Sequence, residues 1–216
     1  MTSERAAPSP QESGPGSGEE YNPGPPTRPR QAATVILLRD GPGSLEVLLV
    51  RRTEKARFMA GVWVFPGGAV DDAEGSGDSA HRAAALRELH EEAAITLADP
   101  AALVKFSRWI TPAVVQTRYD THFFLAPLPP GQEPRVDGEE CVDCGWFTPA
   151  GALEAHRRGE MGLVFPTIKH LEQLSAFASV EELIAHAAAR DVQPVEPRVH
   201  LEGEVARVLL PGDPGY

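Results

Sequence analysis

The sequence predicts a mixed α/β fold, and three features of the chain support this prediction. Residues 34–38 and 47–50 are apolar and rich in β-formers, and the turn-forming residues 40–44 separate them, which predicts a β-hairpin. Leu86, Leu89 and Ala93 recur at helical spacing and form one apolar stripe. Further strand-like and helix-like segments follow as far as the C-terminus.

The composition fits one soluble domain with an adequate core, because 42% of the 216 residues are hydrophobic and 24% are charged. The formal net charge of −11 argues against nonspecific binding to nucleic acid, which needs a basic surface. No apolar run approaches the ~20 residues needed to span a membrane, and the N-terminus has no apolar signal core. We therefore expect a cytoplasmic protein that binds neither nucleic acid nor membrane.

The N-terminal residues 1–30 contain seven prolines, four glycines and almost no aliphatic residues. Such a segment cannot bury enough surface to offset the entropy of ordering. We expect residues 1–30 to be a disordered, solubilising tail and residues 31–216 to form the domain.

The later elements follow from local signals. Thr148 and Pro149 predict the cap and first position of a helix that ends near Arg158, and Ser179 with Glu182 predicts a capping box. The other predicted elements are a strand at 104–110 with a helical alternative, strands at 119–125 and 141–147, a helix opening at Pro166 and a hairpin at 199–210 that turns near Glu202 and Gly203.

The two cysteines, Cys141 and Cys144, form a single C-x-x-C pair. A structural zinc site needs two further ligands, and a thioredoxin-like site needs a helix N-terminus, whereas a predicted strand follows here. Ordinary buried or half-buried thiols are the favoured interpretation.

The predicted helix also carries an acidic face, because Glu88, Glu91 and Glu92 lie at i, i+3 and i+4. Like charges at that spacing repel, and a divalent cation would remove the repulsion because Mg²⁺ prefers carboxylate oxygens. Arg87 can pair with Glu91 one turn further on. Taken alone, the same pattern also fits a solvated helix face, which is common.

The residues before the helix favour the metal interpretation. Gly68 precedes Glu74 by five intervening residues, and the stretch through Arg-Glu-Leu-x-Glu-Glu-x-x-Ile resembles the Nudix box, Gly-x5-Glu-x7-Arg-Glu-U-x-Glu-Glu-x-Gly-U. The flanking Phe-Pro-Gly-Gly at 65–68 and the Trp-Phe-Thr-Pro at 146–149 also fit that family. Two departures are visible: five residues are inserted after Glu74, in a loop by composition, and Ala94 replaces a glycine where a left-handed helix cap would suit glycine better.

The resemblance implies an α/β/α sandwich with a mixed β-sheet between helices. It further implies that Glu88, Glu91, Glu92 and the Gly68 carbonyl bind Mg²⁺ or Mn²⁺. Glu74 would orient Arg87, and Gly67 would have a structural role. The general base varies across the family, so it stays open among Glu91, Glu139 and Glu140, although the last two also fit plain loop charges.

Four basic residues precede the Phe-Pro-Gly-Gly segment: Arg51, Arg52, Lys55 and Arg57. They fit either phosphate contacts or a solvated loop. With the long insertion and the Arg-Tyr-Asp-Thr at 118–121, the chain resembles the Nudix branch of peroxisomal coenzyme A diphosphatase-like proteins and their bacterial relatives.

That branch implies cleavage of a nucleoside diphosphate linked to another moiety, with coenzyme A or acyl-coenzyme A as one hypothesis. A neighbouring coenzyme A signature is not satisfied, because Met59 stands for its His, Val62 for its Glu and Trp63 for its Val. The alternatives are an ADP-ribose or dinucleotide pyrophosphatase and a Nudix ligand-binding regulator without turnover. The oligomeric state, a homodimer included, stays open.

Overall fold

The structure is a computed structural model that describes residues 21–56, 59–202 and 205–216. Its strands are β1 (Arg30–Gly41), β2 (Ser44–Arg52), β3 (Trp63–Val64), β4 (Gly67–Ala69), β5 (Val104–Ile110), β6 (Tyr119–Pro127), β7 (Cys141–Phe147), β8 (Pro194–Val195), β9 (Arg198–Glu202) and β10 (Val205–Leu209). Its α-helices are α1 (Asp78–Ala93), α2 (Pro149–Arg157), α3 (Phe165–Leu174) and α4 (Val180–Ala188). In this part of the chain, every helix is too short or too polar to cross a membrane.

Strand β1 lies at the centre of a mixed sheet with the order β3-β2-β1-β6-β5-β8. It pairs antiparallel with β2 and β4 and parallel with β6. Strand β7 pairs with β2. The predicted hairpin of β1 and β2 is confirmed. The strands β9 and β10 form a separate antiparallel pair, as predicted, and its turn residues at 203–204 lie outside the described part of the chain.

The sheet lies between two helical layers. On one face α1 buries Ala84, Ala85, Leu89 and Ala93 against β1, β2 and β6. On the other face the helices α2, α3 and α4 pack a second core around Ile36, Leu49 and Leu125. Continuous apolar runs in β1 and β2 suit a sheet that is covered on both faces. The expected α/β/α sandwich is confirmed.

Helix α1 is longer than the sequence prediction. The inserted residues were expected in a loop, but the loop contains only residues 75–77 and the helix begins at Asp78. Ala80, Ala84 and Ala85 explain this, because alanine favours helix and these three are buried. At the other end, Ala94 adopts the left-handed conformation with φ 54° and donates its N–H to the His90 carbonyl.

The other local predictions agree with the structure except for the capping box expected at Ser179 and Glu182. Residues 104–110 are a strand, so the helical alternative was wrong. Thr148 caps α2 and Ser179 caps α4 through their side chains, but Glu182 accepts from the Ala178 N–H rather than from that of Ser179. Both cysteines carry free thiols; Cys141 is fully buried and Cys144 is partly buried.

The segment before β1 is more structured than the composition predicted. Tyr21 forms a β-bridge with Val115, and the Asn22 N–H donates to the Val114 carbonyl at 2.7 Å. Arg118 donates to the Thr27 carbonyl at 2.9 Å. Residues 21–30 are therefore attached to the domain, which differs from the expected boundary at residue 31. The remainder of the predicted tail, residues 1–20, lies outside the described part.

Candidate active site

The acidic face of α1 meets the two glycines of β4. Glu92 is only 3% exposed, and its carboxylate accepts a hydrogen bond from the Gly67 N–H at 2.9 Å. A Cβ atom at Gly67 would lie 2.6 Å from the Ala33 carbonyl oxygen, and one at Gly68 would overlap the Glu88 carboxylate. Gly67 therefore lets β4 approach β1, and Gly68 lets β4 approach the acidic face of α1.

Arg87 connects the acidic residues to one another. Its guanidinium donates to Glu74 at 3.0 Å, to Glu88 at 2.7 Å and to Glu91 at 3.0 Å. It also donates to the Ala69 carbonyl at 2.9 Å. The hydrogen bond with Glu74 and those with Glu88 and Glu91 raise the pKa of Arg87 further above its usual range. Arg87 thus holds two carboxylates of α1 beside β4, and Glu74 anchors Arg87 from the opposite side.

Arg52 makes the second basic contact to this acidic group. One of its nitrogens lies 3.7 Å from a Glu92 oxygen, and another donates to Glu140 at 3.1 Å. Arg52 and Glu140 approach because β2 pairs with β7, where Arg52 faces Cys141. Glu140 therefore reaches the site from the residue just before β7.

Burial shifts the acidity of two carboxyl groups. Loss of hydration raises the pKa of Glu92 to about 7, and the Gly67 hydrogen bond and Arg52 offset only part of this effect. Burial also raises the pKa of Glu88, and the neighbouring Glu91 and Glu140 add to it. Carboxylates in such surroundings gain stability from a nearby cation.

The donor set fits a hard divalent cation. Four carboxyl groups, those of Glu88, Glu91, Glu92 and Glu140, lie near β4, and oxygen ligands are those that Mg²⁺ and Mn²⁺ prefer. Among the described residues, no three acidic side chains converge on one point, and Arg87 and Arg52 pair with the carboxylates. A cation would take over the neutralising role of these two arginines.

Three of these four carboxyl groups, those of Glu88, Glu91 and Glu140, line one end of a cavity of about 580 Å³. The charged side chains that line it are Arg52, Arg87, Glu88, Glu91 and Glu140. Its other end is apolar and includes Trp109, Phe165, Val199 and Val208. No local sequence motif predicts this apolar end, because its walls come from segments that are distant in the chain.

The structure brings together only part of the predicted site. Of the basic group, Arg52 lines the cavity, whereas Arg51 and the exposed Lys55 do not, and Arg57 lies outside the described residues. Of the candidate bases, Glu91 and Glu140 line the cavity. Glu139 does not line it; its backbone N–H donates to Asp137.

Comparison with known proteins agrees with the family resemblance of the sequence. The family described as the NUDIX domain matches residues 28–167. Human acyl-coenzyme A diphosphatase NUDT19 is 34% identical over 122 residues, which span 53% of this chain and 32% of that protein. The Nudix hydrolase NudL of Shigella flexneri serotype 5b is 37% identical over 148 residues, which span 62% of this chain and 70% of that protein.

A solved structure agrees with the fold described above. The NUDIX hydrolase from Alicyclobacillus acidocaldarius is 28% identical and superposes with a TM-score of 0.67 over 74% of this chain and 96% of that one. The match to the human relative covers about a third of that protein's length. The family match itself extends over more than half of the present chain and includes β4, α1 and the acidic residues between them. The chain belongs to the Nudix family.

Proposed function

We propose that the protein is a divalent-metal-dependent hydrolase that cleaves the diphosphate bond of a nucleoside diphosphate linked to another moiety. The observation that carries the proposal is the buried Glu92, held against Gly67, next to Glu88, which lines the charged end of the cavity. A carboxylate with so little hydration is costly unless a cation accompanies it. The family relationship supports the same chemistry.

In this proposal Glu88, Glu91, Glu92 and the Gly68 carbonyl would hold Mg²⁺ or Mn²⁺. The cation, when bound, would neutralise charge that develops on the diphosphate and lower the pKa of the attacking water. Arg87 keeps the Glu88 and Glu91 side chains beside β4 through its two hydrogen bonds. Glu74 anchors the guanidinium of Arg87.

The general base is either Glu91 or Glu140. Both line the cavity and are well exposed, with side-chain exposures of 56% and 58%, so each can reach a water molecule above the acidic face. Glu139 is the weaker candidate of the original three because it does not line the cavity. Loss of the pH dependence of kcat in either Glu91→Gln or Glu140→Gln would identify the base.

The proposed substrate is coenzyme A or an acyl derivative, cleaved to 3′,5′-ADP and a phosphopantetheine. The human relative NUDT19 is named as an acyl-coenzyme A diphosphatase, which supports this choice. Arg52 lines the cavity, where its guanidinium can donate to a phosphate of the substrate. Lys55 is exposed on the segment that follows β2, outside the cavity, and would contact the 3′-phosphate only if the nucleotide extends beyond the cavity past Arg52.

Two other functions use the same cavity. An ADP-ribose or dinucleotide pyrophosphatase would need no contact to a 3′-phosphate. A regulator would bind its ligand without turnover, but the full set of α1 carboxylates favours an enzyme. The net charge of −11 supports a small-molecule substrate rather than nucleic acid.

The decisive experiment is a substrate panel of coenzyme A, its 3′-dephospho form and ADP-ribose, each with Mg²⁺ and with Mn²⁺. Products are identified by mass. We expect metal-dependent cleavage of the diphosphate, with a higher kcat/KM for coenzyme A than for the dephospho form. Faster turnover of ADP-ribose would make the pyrophosphatase the better assignment. Tight binding without any cleavage would favour the regulator.

A further inference from the structure

The two ends of the 580 Å³ cavity differ in chemistry. Five charged side chains line the diphosphate end, as described above. The side chains that line the remainder are uncharged in the described part of the chain, and most are apolar, such as Trp109, Phe165, Val199 and Val208. The hydroxyl groups of Thr111, Thr121 and Thr167 add a few polar points to this lining. We call this remainder the apolar chamber. An ionised group inside it would lose hydration and gain no partner of opposite charge.

The C-terminal hairpin forms one wall of the chamber. Val199 of β9 and Val208 of β10 are directly opposite each other in the antiparallel register, so their side chains lie on the same face of the hairpin. Both line the cavity. His200, the next residue in β9, points to the opposite face by strand alternation and is exposed.

Arg118 fastens this wall to two others. Its side chain is 7% exposed and donates to the Thr111 carbonyl at 2.9 Å, to the Thr27 carbonyl at 2.9 Å and to Glu196. Thr27 follows Tyr21, which bridges to Val115, and Glu196 precedes β9. One buried guanidinium therefore joins the N-terminal segment, the loop after β5 and the hairpin around the chamber.

We propose that the apolar chamber binds an uncharged apolar chain, carried by the substrate on the side of the diphosphate away from the nucleoside. This inference rests on the proposed diphosphatase function. The occupant follows from continuity, because the chamber and the diphosphate end form a single cavity and only uncharged groups suit the chamber. The charged nucleotide then lies on the other side of the acidic residues, towards Arg52.

The proposal makes a polar sugar a poor occupant. ADP-ribose would place several hydroxyl groups in the chamber, where Thr111, Thr121 and Thr167 could pair with a few of them, and each hydroxyl left unpaired would reduce binding. An alkyl or acyl chain would instead gain affinity with every methylene that it buries, by roughly three- to fourfold per methylene. The gain should stop when the chamber is full.

Alkyl esters of ADP test this directly, because they place a chain of chosen length next to the diphosphate. We expect kcat/KM with Mg²⁺ to rise over the series from methyl to octyl, mainly through KM, and then to level off. In the metal-free protein, the same series should quench Trp109 fluorescence increasingly with chain length, because Trp109 lines the chamber. A flat series in both measurements would overturn the inference.

Two variants and one control test whether the alkyl chain of the substrate lies in the chamber. Val199→Trp should fill the chamber and remove the dependence on chain length, whereas His200→Trp, on the outer face of the same strand, should keep the wild-type series. If Val199→Trp does not fold, as judged by circular dichroism, Val208→Ala gives the second test. It enlarges the chamber, so kcat/KM should level off only at a longer alkyl chain than in the wild type. If kcat/KM of Val208→Ala levels off at the same alkyl length as in the wild type, the chamber does not bind the alkyl chain.

The series also separates the two proposals from each other. Cleavage of methyl-ADP without any effect of chain length would leave the diphosphatase function standing and reject the chamber as a chain-binding site. Absence of cleavage for all esters, with binding that still increases with chain length, would reject the hydrolase and keep the chamber. If Val199→Trp loses turnover of ADP-ribose and of octyl-ADP equally, the part that the two substrates share, the adenosine, would lie in the chamber. That result would overturn the proposal.

Discussion

The Glu92 carboxylate accepts a hydrogen bond from the backbone N–H of Gly67, at a distance of 2.9 Å, and this contact joins α1 to β4. The residues are 25 positions apart, and each constrains the other. The missing side chain of Gly67 lets β4 lie close to β1, and the buried carboxylate of Glu92 satisfies the N–H of Gly67. The proposed metal site therefore depends on the packing between these two elements as much as on the acidic residues.

We predict that Glu91→Gln and Glu92→Gln each lower kcat by about 100-fold or more, because a neutral amide is a poor ligand for a divalent cation. Both residues lie away from the apolar stripe of α1, so the fold should persist. The measurement is steady-state turnover with circular dichroism as a check of folding. The control is Glu172→Gln on α3, which removes an exposed carboxylate paired with Lys169. Near-wild-type kcat in both variants would refute the metal assignment.

The stability of the metal-free protein should fall as the pH rises from about 4.5 to about 7. Burial raises the pKa of Glu92 from 4.5 to about 7, so in this range the folded protein binds more protons than the unfolded chain. The loss is on the order of 3 kcal/mol. Urea denaturation of wild type and Glu92→Gln with a chelator isolates the effect, because other groups contribute equally to both. Identical pH profiles would contradict the prediction.

Gly68→Ala should reduce kcat by about 100-fold, because its added Cβ would displace the Glu88 carboxylate from the site. The matched control is Gly24→Ala, where the new Cβ would have its nearest contact at 3.4 Å, with the Asn22 side chain. Turnover and the melting temperature are measured for both variants. Full activity of Gly68→Ala would show that this close approach is dispensable.

Ala94→Gly should stabilise the protein by about 0.5–1 kcal/mol, because Ala94 ends α1 with φ 54°, a conformation that costs alanine more than glycine. Turnover should not change. Ala83→Gly is the matched control, since this exposed residue lies inside the same helix and should lose a similar amount. Urea denaturation measures both, and a loss of stability in Ala94→Gly would contradict the role of residue 94 as a left-handed cap.

Removal of residues 1–20 should leave the melting temperature and turnover unchanged, on the strength of their Pro- and Gly-rich composition. Removal of residues 1–29 should lower the melting temperature, because it deletes the Tyr21 bridge to Val115 and the carbonyl that Arg118 binds at Thr27. Thermal denaturation of the two truncations distinguishes these outcomes. Equal melting temperatures would mean that the N-terminal contacts contribute little to stability.

The acidic face of α1 was predictable because its signal is local. Spacing alone places Glu88, Glu91 and Glu92 on one side of a helix, and the segment before it supplies Gly68 and Glu74. Helix spacing is fixed by backbone geometry over a few residues, so tertiary context changes it little. The extra helical turns at the start of α1 were missed because glycine-rich composition suggested a loop, whereas buried alanines favour helix.

The contact of Arg52 with Glu140 was not predictable in the same way. The two residues are 88 positions apart, and they meet because β2 pairs with β7, in a register that shifts between residues 51 and 52. The apolar chamber has a similar origin, since Trp109, Phe165 and Val199 come from three different elements. Such features depend on sheet register and packing, which single-sequence patterns specify weakly.

The parallel pairing of β1 with β6 has a consequence for the order of folding. Gln31 and Asp120, which hydrogen bond across this pair, are 89 residues apart, whereas β1 and β2 are joined by a tight turn. Closing so long a loop is entropically slow compared with forming the hairpin or α1. The cavity needs side chains from both β1 and β6, so its two sides come together only when this pairing forms. Recovery of activity during refolding should therefore lag behind recovery of helical circular dichroism.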